Sequence, residues 1–315
     1  MVADPHVADG ADGTWKVYHR AAGRFQSALR RAERLESDAV VVPGDLTRDG
    51  RPAEFDRVDA LFASADVPVV AVPGNHDVPK STDDHDTPAV GEFADSYAGG
   101  EFPVVRQVGG VDVVGVNTAG GDGRLWDTHE GGVSASQLDR VDAALAGADA
   151  PLLVAHHPLA DATSHAGPVA PSPLHPPVRR ADRLSAVLDR HEVPLAVTGH
   201  NHWPAVGRLG GTRTLAAPAT CSFPPGMVVL DVSPDGTTVT FLPLADREGF
   251  LEAYRHAVAG SERSRAIAAR VSGGHFEELP FVDAAGAGDG SAQEPLNRPA
   301  GGEYEALAAF VASSR

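Results

Sequence analysis

Residues 67–77 read Val-Pro-Val-Val-Ala-Val-Pro-Gly-Asn-His-Asp, an apolar run that ends in a polar tetrapeptide. A run of β-branched residues that stops at a glycine predicts a buried strand followed by a sharp turn. An amide, an imidazole and a carboxylate then follow in order at Asn75, His76 and Asp77. In open α/β sheets ligands bind beyond the carboxyl ends of the strands, where this tetrapeptide would lie. Taken alone, it is more typical of a polar turn that closes a strand than of a binding site.

The chain on either side of this stretch alternates strands with helices. An apolar stripe at helical spacing covers residues 18–35, a strand follows at 38–43, and Pro52 opens a second helix before the strand at 67–72. This βαβαβ order predicts a parallel sheet with crossover helices. The alternation continues with strands at 111–116, 151–155 and 194–197, and with helices at 135–146 and 180–191.

The pattern changes after residue 202. Strands are predicted at 212–216, 226–232 and 237–242 without helices between them, and Ser-Pro-Asp-Gly at 233–236 predicts a hairpin turn. Antiparallel strands after a parallel series predict a second sheet packed on the first.

Two units are expected along the chain, a catalytic domain at 1–245 and a C-terminal extension at 246–315. The extension combines a helical pattern at 246–270, a flexible linker rich in Gly, Ala and Pro at 283–302 and a short amphipathic piece at 304–311. It is expected to pack on the domain or to form an oligomer contact.

Composition limits the class of protein. With 315 residues and 42% hydrophobic content the chain can bury a sizeable core. Cys221 is the single cysteine, which excludes an internal disulfide and suits a reducing compartment. No N-terminal stretch resembles a secretion signal and no run approaches the roughly 18 apolar residues of a membrane span. We therefore expect a cytoplasmic protein without a membrane partner.

The net charge of −17 indicates a strongly acidic surface, and Lys16 and Lys80 are the only two lysines among 26 basic residues. Such a surface opposes binding to nucleic acid backbones, which require basic patches. Few lysines and many Asp, Ala, Val, Gly and Arg residues are typical of a salt-loving, GC-rich organism. The charge therefore predicts a halophilic archaeal source and says little about function.

Five clusters of polar residues follow predicted strands: Asp4/His6, Asp45, Asn75/His76, His156 and His200/His202. Each alone is typical of a turn or of a buried structural histidine. Imidazoles and carboxylates together suit Zn, Fe or Mn, whereas the absence of cysteine at every cluster argues against a structural zinc site.

The spacing within these clusters resembles the five motifs of the calcineurin-like metallophosphoesterases, in the same order and over residues 1–242. The matching segments are Asp4-x-His6, Gly44-Asp45, Gly74-Asn75-His76-Asp77, His156-x-Pro158 and Gly199-His200-x-His202. The resemblance implies an α/β fold in which two packed mixed β-sheets are flanked by helices, a four-layer αββα sandwich. It departs from the family at the front, because the strand before Asp4 is unusually short.

The resemblance also implies a site for two metal ions, Mn, Fe or Zn. One ion would take Asp4, His6 and His202, and Asp45 would bridge to the second ion. The second ion would take Asn75, His156 and His200. Two such cations, roughly 3.5–4 Å apart, clamp the attacking and leaving oxygens of an in-line displacement.

The remaining histidines receive other expectations. In the family the position of His76 faces the phosphate, so His76 is expected to stabilise or protonate the leaving group, with Asp77 orienting its ring. His157, beside a ligand, is expected to be structural. Four loop residues are expected to face solvent, with Arg124 also a candidate phosphate contact: Arg124, His129, His165 and His175.

The motif forms Gly44-Asp-Leu-Thr-x-x-Gly50, Gly-Asn-His-Asp and His-His-Pro look most like class III cyclic nucleotide phosphodiesterases. The predicted function is hydrolysis of a small phosphodiester by metal-activated hydroxide. The alternatives are a phosphomonoesterase or protein phosphatase on the same site, and a metal-free interaction scaffold. Substrate choice is expected to lie in the loops at 78–100, 117–132 and 160–178.

Overall fold

The computed structural model describes residues 1–120, 125, 129–160, 175–233, 236–272, 310 and 313. The elements in chain order are α1 (Tyr18–Arg34), β1 (Val40–Pro43), α2 (Pro52–Ala63), β2 (Val69–Val72), α3 (Val90–Tyr97), β3 (Val104–Val108), β4 (Val111–Gly115), α4 (Ala135–Leu145), β5 (Pro151–Val154), α5 (Ala181–Arg190), β6 (Leu195–Thr198), β7 (Ala205–Leu209), β8 (Thr212–Ala216), β9 (Gly226–Ser233), β10 (Gly236–Pro243), α6 (Arg247–Ala259) and α7 (Glu262–Ser272).

One sheet has six strands in the order β3-β4-β5-β6-β8-β7. Its centre is parallel, since β4 pairs with β5, β5 with β6 and β6 with β8 in that sense. Both edges are antiparallel, at β3/β4 and β7/β8. The sheet is therefore mixed.

The second sheet is assembled around the first residues of the chain. Strands β1 and β2 are parallel, and β9 and β10 form an antiparallel hairpin. Residues 1–3 lie between the two pairs: the Val2 amide donates to the Val41 carbonyl at 2.9 Å, and the Val228 amide donates to the Met1 carbonyl at 2.9 Å. The short initial segment thus connects two ribbons into one layer.

Alternation along the strands sorts the core into layers. On β4 the side chain of Val113 joins the cluster between the two sheets, whereas Val114 joins the cluster beneath α4 and α5. Phe25 on α1 and Phe55 on α2 cover the outer face of the second sheet. Side chains of successive strand residues point to opposite faces, so a run of valines can fill both clusters. The predicted αββα arrangement of mixed sheets flanked by helices is confirmed.

Two details of the strand assignment differ from expectation. The segment 212–216 was expected in the second sheet, but as β8 it pairs with β6 in the six-stranded sheet. Strands β3 and β7 were not predicted. Both are edge strands with partly exposed residues, and their composition therefore lacks the continuous apolar run of a buried parallel strand.

The C-terminal helices pack on the preceding residues. Helix α6 begins after Asp246, whose side chain accepts a hydrogen bond from the Gly249 amide at 2.9 Å. Phe250 on α6 and Ile267 on α7 share a buried cluster with Val17 and Phe223. The predicted linker at 283–302, most of the piece at 304–311 and residues 161–174 of the predicted loop lie outside the described residues. None of the helices in the described part of the chain has the length and apolar character that a membrane span requires.

Candidate active site

All five polar clusters lie at one edge of the molecule, where chain segments leave the sheets. The segment at 1–3 leads into Asp4, β1 into Asp45, β2 into Asn75, β5 into His156 and β6 into His200. Carboxyl ends of neighbouring strands converge, so residues far apart in sequence meet there.

The backbone at this edge is strained. Eight non-glycine residues of the described chain have a positive φ, and five of them belong to the clusters: Asp4, His6, Asp45, His200 and His202, with φ between 44° and 64°. The left-handed region costs a non-glycine residue roughly 1–2 kcal/mol. Strain of this kind concentrates where a site, and not stability, determines the backbone path.

Two glycines make the convergence possible by allowing close approach. A Cβ atom on Gly74 would lie 2.1 Å from Asp45 Oδ1. Gly44 has a φ of +87°, and a Cβ there would lie 2.5 Å from His156 Nδ1. Gly44 and Gly74 therefore each leave space for a ligand side chain of another motif.

The first group of converging side chains contains Asp4, His6, Asp45 and His202, all buried, with ligand atoms within 4.8 Å of one another. His6 Nε2 lies 3.3 Å from Asp45 Oδ2 and 3.3 Å from His202 Nε2. His202 Nε2 lies 3.5 Å from Asp4 Oδ1, and its Nδ1 lies 2.7 Å from the Ser222 hydroxyl.

The second group surrounds the other oxygen of the same carboxylate. His156 Nε2 lies 3.0 Å from Asn75 Oδ1, 3.1 Å from His200 Nδ1 and 3.4 Å from Asp45 Oδ1. Asp45 thus presents Oδ2 to the first group and Oδ1 to the second. The structure brings the seven residues together in the two sets that the resemblance implies, and their metal-binding role stays a prediction.

The donor set fits cations. His156 Nδ1 is 2.8 Å from the Pro43 carbonyl, which can only accept, so in the neutral ring Nε2 carries the lone pair that faces Asn75 Oδ1 and Asp45 Oδ1. Burial, followed by neighbouring cationic groups, lowers the pKa values of His6, His200 and His202 well below the ordinary range. Neutral imidazoles and carboxylate or amide oxygens thus point their lone pairs at one another, a repulsion that bound cations would remove.

The two carboxylates differ in their electrostatics. Burial raises the pKa of Asp4, although the His200 amide donates to it at 3.0 Å. Burial also opposes ionisation of Asp45, but its interactions with His156, His76 and Lys16 outweigh it and lower the pKa of that carboxyl. Asp45 is therefore the more strongly ionised of the two, as a carboxylate shared between cations requires.

His76 faces the first group without joining it. Its ring meets that of His6 edge-on with centroids 4.5 Å apart, and its amide donates to Asp45 Oδ1 at 2.9 Å. Its Nδ1 atom is in contact with the Arg48 carbonyl, so Nδ1 carries the proton and Nε2 points into the site. Burial, followed by the charge of Lys16, lowers the pKa of His76 to about 4.

Asp77 does not orient the His76 ring. Its Oδ2 accepts from the amides of Leu46 (3.0 Å) and Gly74 (2.9 Å), and its Oδ1 accepts from the amide (2.9 Å) and hydroxyl (2.8 Å) of Thr47. Asp77 joins the loop after β1 to the loop after β2. The expected orienting contact is made by the Arg48 backbone instead.

Lys16 is a site residue that sequence reasoning missed. Its buried side chain places Nζ 3.1 Å from His6 Nε2 and 3.3 Å from His76 Nε2. Burial lowers the pKa of this ammonium, opposed by the carboxylate of Asp45. The one available signal was the rarity of lysine in the chain.

The second group also has a cover that was not predicted. His175, expected to face solvent, packs its ring 4.4 Å from that of His200. Arg263 on α7 donates to the His200 carbonyl at 2.9 Å and contacts His175 Nε2. No motif pointed to Arg263, since helical periodicity carries no information on where a helix packs.

The other histidines singled out in the sequence lie beside the second group or outside the described residues. His157 is buried with its Nδ1 3.0 Å from the Thr118 hydroxyl, and its ligand atoms also lie within 4.8 Å of those of His156 and His200, so its structural role stays a prediction. His129 is exposed and stacks on His175. Arg124 and His165 lie outside the described residues.

The sequence also matches proteins of known family. Residues 1–204 match the family model described as calcineurin-like phosphoesterase. The chain is 25% identical over 260 residues to the 3′,5′-cyclic adenosine monophosphate phosphodiesterase of Escherichia coli, covering 76% of this chain and 84% of that protein. It is 26% identical over 236 residues to a probable cyclic nucleotide phosphodiesterase of Synechococcus, covering 69% of this chain and 79% of the relative.

Solved structures show the same fold. A dimetal phosphatase from Danio rerio superposes with a TM-score of 0.59 at 18% identity, covering 78% of this chain and 95% of that one. The family model matches about two thirds of the chain, and the Escherichia coli relative and the Danio rerio structure are phosphate-ester hydrolases. The chain belongs to the calcineurin-like phosphoesterase family.

Proposed function

We propose that the protein is a two-metal phosphodiesterase that hydrolyses a cyclic nucleotide or another small diester. The observation that carries the proposal is the division of Asp45 between two sets of buried ligand atoms, Oδ2 toward His6 at 3.3 Å and Oδ1 toward His156 at 3.4 Å. One carboxylate shared between two donor sets is what a pair of adjacent cations requires.

The proposed metal ligands are those implied by the motifs. One ion, Mn, Fe or Zn, would be held by Asp4, His6 and His202 with Asp45, and the other by Asn75, His156 and His200 with Asp45. When bound, the ions neutralise phosphate charge and lower the pKa of a water molecule that attacks phosphorus.

The chain's own residues would bind and orient the phosphate. Lys16 Nζ lies 3.3 Å from His76 Nε2 and 3.1 Å from His6 Nε2, so its positive charge would stabilise a phosphate oxygen beside it as negative charge develops on that oxygen. The Arg48 carbonyl holds the His76 ring by its other nitrogen, which keeps Nε2 directed at the substrate.

Space for the group attached to the phosphate would come from a cavity that none of the proposed metal ligands lines. A cavity of about 910 Å³ is lined in part by Val90, Asn117, Thr118, Gln137 and Arg179. Its wall includes two of the loops in which substrate choice is expected, 78–100 and 117–132. Thr118 connects this wall to the site, because its hydroxyl bonds His157 next to His156. The size of the cavity suits a nucleoside-sized group.

Diester preference is the finer part of the proposal. It is supported by the two relatives whose names specify cyclic nucleotide phosphodiesterases, each near 25% identity. The test compares turnover of bis-p-nitrophenyl phosphate, p-nitrophenyl phosphate and 3′,5′-cyclic AMP after reconstitution with Mn²⁺. A clear preference for the monoester would overturn the diester assignment and favour a phosphomonoesterase.

Variants separate the roles of the residues. His76→Ala should lower turnover about 10²–10⁴-fold while metal content stays near that of the wild type. Asp45→Asn should lose both metal and turnover. His191→Ala is the matched control, since His191 lies just before β6 at the opposite end of that strand and bonds Asp142. Fewer than about one ion per chain together with no turnover would contradict the enzyme assignment and favour an interaction scaffold.

A further inference from the structure

A second cluster of potential metal ligands lies where α1 meets α6. His19 is near the start of α1, and Glu252 and His256 are four residues apart on α6. Residues at that spacing share one face of a helix, so the two α6 side chains both point toward His19. None of the three belongs to the donor sets of the proposed active site.

The three side chains are close enough to hold one ion. Their ligand atoms all lie within 4.8 Å of one another. His19 Nε2 is 2.9 Å from Glu252 Oε1, and the rings of His19 and His256 have centroids 5.8 Å apart. Ligands of a tetrahedral zinc ion lie about 3.3 Å apart, so His256 needs only a modest turn of its ring.

The surroundings of the three side chains allow an ion to enter from solvent and the two imidazoles to lie close together. The His19 and Glu252 side chains are 35% and 27% exposed, so an ion can enter from solvent. Gly13 lies against both imidazoles, since a Cβ there would be 2.8 Å from His19 and 3.2 Å from His256. Although partial burial opposes ionisation, hydrogen bonds from His19 and Arg20 lower the pKa of Glu252 to about 2.

We infer that His19, Glu252 and His256 form a separate site for a zinc-like divalent transition ion. Two imidazoles and one carboxylate are a ligand set that zinc accepts with a fourth position left to water. The ion would join α6 to α1. Because α6 leads into α7 and Arg263, it would also hold the helix that contacts the His200 carbonyl.

One competitor for the carboxylate is built into the cluster. Arg20 donates from Nε to Glu252 Oε2 at 3.0 Å and from Nη2 to Oε1 at 3.3 Å. Arg20 is 58% exposed, and exposed ion pairs of this kind contribute little. A bound ion would displace it, so removal of the Arg20 guanidinium should tighten binding.

The experiment measures zinc per chain on the full-length protein, stripped with EDTA and dialysed against Zn²⁺. His256→Ala should bind about one zinc fewer than the wild type, and the double variant His19→Ala/His256→Ala should lose no more than that. Arg20→Ala should bind the same number with a Kd lowered several-fold. His191→Ala controls for the loss of a partly buried histidine that pairs with a carboxylate elsewhere in the chain.

A second measurement is independent of zinc counting. Zn²⁺ should raise the melting temperature of the wild type by more than that of His256→Ala, because ligands that bind only the folded state stabilise it. Equal zinc stoichiometry in the wild type and His256→Ala, or an Arg20→Ala Kd equal to that of the wild type, would overturn the inference and leave an ordinary surface ion-pair network. These readouts need no turnover, so they do not depend on the proposed phosphodiesterase activity.

Discussion

Replacing Asp77 by Asn tests the role that the structure assigns to this carboxylate. Asp77 receives four hydrogen bonds from the loops after β1 and β2 and none of them comes from the His76 ring. The substitution keeps the shape of the side chain but converts one acceptor oxygen into a donor. We expect Asp77→Asn to lower the free energy of unfolding, and to affect the site through displacement of the two loops.

The magnitude follows from counting acceptors. The side-chain NH2 of the new Asn can point toward Thr47, whose hydroxyl can rotate and accept a hydrogen bond from it. Only the backbone N–H of Thr47 then faces a donor instead of an acceptor. One buried donor without a partner costs about 1–3 kcal/mol, and the three surviving bonds lose the extra strength of a charged acceptor. Burial and the nearby Asp45 raise the pKa of Asp77, which means that the ionised carboxylate is itself destabilised. Removing its charge therefore offsets part of the loss. The expected net loss is about 2–4 kcal/mol.

The assay is urea unfolding of the EDTA-treated protein in molar KCl, followed by far-UV circular dichroism. Asp95→Asn on the exposed face of α3 is the matched control and should change the unfolding free energy by less than about 0.5 kcal/mol. If Asp77→Asn stays within that same range while turnover collapses, Asp77 acts on the chemistry through His76 and the structural role is refuted.

Three further predictions concern other parts of the molecule. Gly74→Ala should reduce both metal content and turnover, because the new methyl carbon would lie 2.1 Å from Asp45 Oδ1 and push that carboxylate aside. Its control is Gly23→Ala, where a Cβ meets nothing within 4 Å, and this change should stabilise helix α1 by up to about 1 kcal/mol. Normal metal content in Gly74→Ala would contradict this geometry. Lys16→Met should lower kcat for the diester about 10²-fold with unchanged metal content, since it removes the positive charge beside His76; unchanged kcat would exclude Lys16 from phosphate binding. With a net charge of −17, the melting temperature should rise steadily from low salt to molar KCl, and a flat profile would refute the salt-adapted surface.

Part of the site was predictable because its information is local. Gly74, Asn75 and His76 occupy one turn after an apolar run, and the period of that run places the turn at a strand end. The other four clusters have the same form, so their convergence follows from the way parallel strands share an edge. The two donor sets around Asp45 contain the seven residues that the motifs indicated.

The sequence by itself determined the strand ends that carry the polar clusters, because periodicity and turn chemistry act over a few neighbouring residues. The order of its motifs, through their resemblance to a known family, implied the αββα class and the identity of the converging residues. Only the tertiary structure decided which side chains contact one another in the site. Asp77 bonds the loop after β1 and leaves the His76 ring to the Arg48 backbone. Lys16 enters the site, and Arg263 reaches His200 from a helix more than sixty residues later in the chain. Those contacts depend on how whole elements pack, and packing joins residues whose separation in sequence carries no local signal.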